Sequence, residues 1–119
     1  MKKVYITTCL ILLSILLVSC GSSKPSFSHI VVKSDRQGIL LDSKDSAILS
    51  TLQKIFYEKE QQPDAGPEFR FFIDITIAGD TTRWQYSVDG YIRNYEEGHS
   101  MIYQLKDVAE FNRTANIIH

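Results

Sequence analysis

Two hydrophobic periods run along this chain, and an uncharged apolar block precedes both. Positions 4–18 carry no charge, and the most apolar part is 10–18. Further on, Ile48, Leu49, Leu52, Ile55 and Phe56 form one stripe of a 3.6-residue period, with Lys44, Gln53, Lys54 and Glu58 off it. That spacing predicts an amphipathic helix. Asp42 or Ser43 is placed to cap it, and the loop 61–67, with Pro63, Gly66 and Pro67, ends it. The period then changes to two. Phe69, Phe71, Ile73, Ile75 and Ile77 alternate with Glu68, Arg70, Phe72, Asp74 and Thr76, which predicts a strand over 68–78 with one covered face and one wetter face.

Gly79 and Asp80 are a tight-turn signal, so the next strand is expected to fold back as a hairpin, with Thr82, Trp84, Tyr86 and Val88 alternating along it. Asp89 and Gly90 mark either a second turn or a bulge in a strand continuing to 94; two turn signals so close together favour the bulge. Further strands are expected at 27–33, 39–41 and 101–105, and a final helix capped by Asp107 carries Val108, Phe111, Ala115 and Ile118 on its apolar side. Strands joined by tight turns, with helices set apart from them, define an α+β class. The expected architecture is one antiparallel sheet of about four to five strands, with both helices on its Phe69/Ile73/Ile77 face.

The uncharged block acquires a meaning from its flanks. Lys2 and Lys3 precede it, and it is short for a membrane span, which takes about 20 apolar residues. A charged start followed by an apolar stretch is the plan of a secretory signal, here an expected N-terminal signal helix. The sequence Leu17-Val18-Ser19-Cys20, followed by Gly21-Ser22-Ser23, resembles the lipobox of bacterial lipoprotein precursors. The resemblance implies a diacylglyceryl group on the Cys20 sulfur, cleavage between Ser19 and Cys20, and in many species an acyl group such as palmitate on the new amino terminus. One acyl chain binds a membrane only marginally, whereas two or three on one residue make attachment effectively permanent. The residue after the cysteine is Gly21 rather than the aspartate of an inner-membrane retention signal, which favours the periplasmic face of the outer membrane. The expected organisation is a signal peptide at 1–19, a lipidated cysteine with a flexible tether at 20–26, and one α+β domain at 27–119.

Composition narrows the function. Without residues 1–19 the 119-residue chain keeps 100 residues, enough for one modest core. It then carries 11 Lys and Arg against 14 Asp and Glu, a formal charge of −3, with no basic block, which argues against nucleic acid as a partner. The two cysteines are Cys9, inside the signal, and Cys20, so the mature domain is expected to lack thiols and disulfides. That suits an oxidising periplasm.

Candidate chemistry is sparse. His29, His99 and His119 have no metal-ligand spacing, and Glu96, Glu97 and His99 read more simply as a solvated turn than as a cation site. Neither Ser100 beside His99 nor the carboxylates Asp74 and Asp89 form a recognisable catalytic pattern. We expect no enzyme activity, no cofactor and no metal. The aromatic and arginine content is more suggestive. Arg70, Arg83, Trp84, Tyr86, Tyr91 and Arg93 compose a possible protein-binding face, because Tyr, Trp and Arg dominate interface hot spots. The expected function is a lipid-anchored, non-catalytic binding or assembly module in the cell envelope with a protein partner. The alternatives are an inhibitor or immunity protein blocking a hydrolase or toxin, and thirdly a small envelope enzyme.

Overall fold

The computed structural model describes residues 24–96 and 101–117. The expected signal segment, Cys20, Glu97, His99, Ser100, Ile118 and His119 lie outside the described residues. The first two strands are β1 (His29–Ser34) and β2 (Gly38–Ser43), followed by the helix α1 (Ser46–Tyr57) and a two-residue strand, β3 (Glu60–Gln61). Next come β4 (Phe71–Ile77), β5 (Asp80–Tyr86), β6 (Tyr91–Asn94) and β7 (Tyr103–Gln104), and the chain closes with α2 (Val108–Thr114). The class is α+β. All seven strands join one sheet in the order β2-β1-β4-β5-β6-β7-β3, and every neighbouring pair is antiparallel.

The sheet is wider than the four to five strands expected, for two local reasons. Glu60 and Gln61 are both exposed, so no alternation of apolar residues marks them as a strand; their register against Gln104 and Tyr103 is set by tertiary pairing. The Asp89–Gly90 signal is a turn rather than the expected bulge. Ser87 N donates to Tyr91 O at 2.9 Å and Gly90 N donates to Ser87 O at 2.9 Å, closing a hairpin that pairs Trp84 with Asn94. Gly90 enables it with a φ of 92°, a conformation that costs other residues strain.

β2 and β3 are the two edges of the sheet, so α1 crosses the covered face from one edge to the other. Its 12 residues span about 18 Å, at about 1.5 Å per residue. Leu49, Leu52, Ile55 and Phe56 are buried, as the periodic stripe predicts, and Ile48 is partly buried beside them. The cap is Asp45 rather than Asp42 or Ser43, because β2 runs on to Ser43. Asp45 Oδ2 accepts from Ile48 N at 3.1 Å, and Ser43 Oγ accepts from Asp45 N at 3.1 Å. Asp107 caps α2, accepting from Glu110 N at 3.4 Å, as expected.

Both helices cover the same face. Ile30 and Val32 of β1, Ile73 and Ile75 of β4, Tyr86 of β5 and Ile92 of β6 meet the α1 stripe and Phe111, Ala115 and Ile117 around α2 in one core. Phe69 does not join this face. β4 begins only at Phe71, so period two does not bind Phe69, and its ring instead lies 4.7 Å from the Arg93 guanidinium.

Residues 24–26, expected to belong to a flexible tether, instead pack on the domain. Pro25 O accepts from Tyr57 Oη at 2.7 Å, Lys24 Nζ donates to Tyr57 O at 3.4 Å, and Phe27 N donates to Gln53 Oε1 at 2.8 Å. Residues 24–27 are therefore strapped to the last turns of α1. The physical cause is Phe27, buried against Phe56 and Tyr57 with centroids 5.5 and 5.7 Å away, which draws the preceding residues onto the helix.

Candidate functional site: the open face of the sheet

The face opposite the helices is built by the other parity of each strand. Lys33 of β1, Phe72, Asp74 and Thr76 of β4, Thr81, Arg83 and Gln85 of β5, and Tyr91 and Arg93 of β6 share it, because antiparallel partners point to the same side. The registers Asp74↔Arg83, Phe72↔Lys33 and Phe72↔Gln85↔Arg93 set the rows.

The centre is an ionic and aromatic lattice. Arg83 Nε and Nη2 donate to Asp74 Oδ1 and Oδ2 at 2.7 and 3.0 Å, a two-pronged pair, and Lys33 Nζ lies 3.4 Å from Asp74 Oδ2. The Asp74 side chain is 15% exposed and Arg83 37%. The hydrogen bond from Arg83 holds the Asp74 carboxyl below the usual carboxylate range against the opposing effect of burial, with Lys33 adding to it. The same bond raises Arg83 further. Arg83 also lies 5.2 Å from the Phe72 ring, which meets Tyr95 edge-on at 5.4 Å. Tyr95 is 53% exposed, an uncommon setting for a large ring. Arg93 donates from Nε to Gln85 Oε1 at 2.7 Å and covers Phe69. A shallow depression of about 270 Å³ opens between Asp74, Thr81, Arg83, Tyr95 and Glu96.

The expected binding residues divide. Arg83, Tyr91 and Arg93 stand on the open face. Trp84 and Tyr86 do not, since their parity in β5 is that of the core. Tyr86 is fully buried and bonded to Asn112, and Trp84 packs edge-on against Phe56 at 4.9 Å beneath Lys59. Arg70 precedes β4 and sits by the β1–β2 turn, paired with Glu68 at 2.5 Å and Asp35 at 3.5 Å. The sequence reading missed Lys33, Gln85 and Phe69 as members. The usable signal for the first two was parity: Gln85 faces out in β5 if Trp84 and Tyr86 face in, and Lys33 faces out in β1 if Ile30 and Val32 face in. Phe69 carried no such signal.

Elsewhere, His29 Nε2 meets Asp42 Oδ1 at 2.5 Å at the β1–β2 edge. Among the described residues no cluster of three or more His, Cys, Asp or Glu side chains is arranged to hold a metal ion. No helix among them is long and apolar enough to cross a membrane. Compared with known proteins, the chain matches no family model, no curated protein and no solved structure.

Proposed function

We propose that the protein is a lipid-anchored module of the bacterial cell envelope that binds a protein partner through the open face of its sheet and carries out no reaction itself. Cys20 holds it on the periplasmic face of the outer membrane. The observation that carries the binding reading is the pair of arginines, Arg83 and Arg93, each laid on an aromatic ring on a sheet face that neither helix covers. Stacked guanidinium groups keep donors free while losing little side-chain entropy on binding, which is why Arg and aromatic rings dominate interface hot spots. Lys33 and Arg83 hold the carboxylate of Asp74 between them, and Arg93 stands on the same face, so three cations against Asp74 and Glu96 leave the face cationic in an otherwise acidic mature chain. The partner surface that complements it is acidic and polar. A carboxylate pinned ionised between two cations is also poorly suited to general acid catalysis, which supports binding over turnover.

The test is photo-crosslinking in the intact bacterium. A photoreactive residue replacing Tyr95 yields one discrete adduct, and the double substitution Arg83→Glu with Arg93→Glu removes it. The same probe at Lys54, on the surface of α1, yields none. Adducts from Lys54 and none from Tyr95 refute the open face as the binding surface. A hydrolase or toxin in the adduct would recast the module as an inhibitor. Cys20→Ser abolishes lipid labelling and leaves the precursor uncleaved; normal processing of that variant refutes the anchor.

A further inference from the structure

The strap formed by residues 24–27 fixes where the anchor reaches the domain. Tyr57 Oη holds Pro25 O, and the Lys24 ammonium lies 5.1 Å above the Tyr57 ring. Only residues 21–23 separate this strap from Cys20. Four Cα–Cα steps, from Cys20 to Lys24, reach at most about 14 Å when fully extended. A headgroup layer is about 5–8 Å deep on each side of a bilayer. If Cys20 carries lipid, as proposed above, the strapped end of the domain is therefore held within about 6–9 Å of the membrane surface.

That end has the chemistry of a membrane-facing surface. Ser28 N donates to Thr76 O at 2.8 Å, so the start of β1 lies beside the end of β4 and the hairpin at Ala78 and Gly79. Beside the C-terminal end of α1, Phe56, Ile75, Ile77, Thr82 and Trp84, with Asp80, line a groove of about 280 Å³ on the covered face, in which Ile77, Thr82 and Trp84 are half-buried and Asp80 is exposed. Trp and Tyr side chains favour the headgroup level, where the ring is apolar on one side and wet on the other. Lys24 supplies a cation for lipid phosphates. The Asp80 carboxylate keeps the groove at headgroup depth, since charge is costly in hydrocarbon.

We propose that the anchored protein rests on its own membrane through this end, with the groove beside Ile77 and Trp84 seated among phospholipid headgroups. The occupant is the phospholipid surface itself. The strands then rise away from the bilayer, and the open face looks sideways along the membrane, toward a partner attached to the same surface. The proposal rests on the anchor reading.

The experiment uses the full lipidated protein in vesicles of phosphatidylethanolamine and phosphatidylglycerol. Because lipid consumes the Cys20 sulfur, an introduced cysteine is the only thiol. Asp80→Cys and Gln37→Cys place a fluorophore at opposite ends of the sheet, both at exposed positions. With lipids bearing a spin label near the headgroup, the dye at 80 is quenched several-fold more than the dye at 37. Trp84, the chain's single tryptophan, gives a check without substitution: the same lipids quench it in the unaltered protein. Equal quenching at 80 and 37, stronger quenching at 37, or an unquenched Trp84 in protein shown by mass to carry lipid overturns the docking proposal and leaves the anchor standing. Purified protein without lipid on Cys20 overturns both.

Discussion

The Tyr86 hydroxyl donates a 2.6 Å hydrogen bond to Asn112 Oδ1 in the buried seam between β5 and α2. Asn112 Nδ2 in turn donates to Val88 O at 2.9 Å, so one amide ties the helix both to the sheet and to the β5–β6 turn. Leaving a buried polar partner unpaired costs about 1–3 kcal/mol. Tyr86→Phe and Asn112→Ala are each expected to destabilise the protein by that amount, and the double variant by less than their sum in denaturant unfolding. Burial, with the Asp89 charge adding to it, raises the Tyr86 pKa above its ordinary value. The neutral form is thus favoured in the native state. Its stabilisation is complete below the unfolded tyrosine pKa, about 10, and is lost as pH rises through the higher native value. Tyr86→Phe is expected to remove this part of the alkaline fall in stability.

Gly90 and Val108 form the tightest joint between the turn and α2. A Cβ at Gly90 would collide with Val108 Cγ2, and the backbone there has a φ of 92°. Gly79 has a similar φ of 86° but open space around it. Gly79→Ala is expected to cost about 1–2 kcal/mol, the left-handed strain alone. Gly90→Ala adds overpacking and should cost about 2–5 kcal/mol. Val108→Ala in the same chain should recover part of the Gly90→Ala loss but none of the Gly79→Ala loss, as read by thermal unfolding.

Asp74 links acid stability to the open face. Its pKa is depressed in the native state, chiefly by the Arg83 hydrogen bond. The associated stability is present above the unfolded carboxylate pKa, about 3.9, and is lost as pH falls through the lower native value. Because Arg83 is 37% exposed, solvent screening holds the pair to about 1 kcal/mol. Asp74→Asn should lose roughly that at neutral pH and flatten the acid limb of a stability–pH profile. An unchanged acid limb would show that the pair is not coupled to folding.

Asn116 closes the far end of α2 onto the edge strand. It adopts a φ of 62°, and its Nδ2 donates to Leu40 O at 2.9 Å. Asn116→Gly keeps the backbone conformation and loses the bond, whereas Asn116→Ala loses both. The expected order of stability is native, then Gly, then Ala, with the two steps together about 1–3 kcal/mol. Amide exchange along β2 should quicken in the same order.

The elements whose own residues carry a period were legible. The α1 stripe and the Ile73/Ile75 alternation of β4 both face the core as read, because burial selects apolar side chains at the spacing of the local backbone. The Asp107 cap was legible for the same local reason. β3 was not, since two exposed residues have no period, and the Asp89–Gly90 signal fitted two backbones whose difference lies in long-range pairing.

The candidate face shows the division most clearly. Arginine and aromatic residues along 70–95 were visible as composition, and so was the separation of a covered face from a wet one. The residues that meet were decided by register. Antiparallel pairing put Asp74 against Arg83 and Gln85 against Arg93, and sent Trp84 and Tyr86 to the opposite side. The lipobox reading of Cys20 needs only adjacent residues and comes from the sequence alone. The length of free tether does not. It depends on Phe27 finding Phe56 and Tyr57, a contact between segments far apart in the chain that only the packed structure brings together.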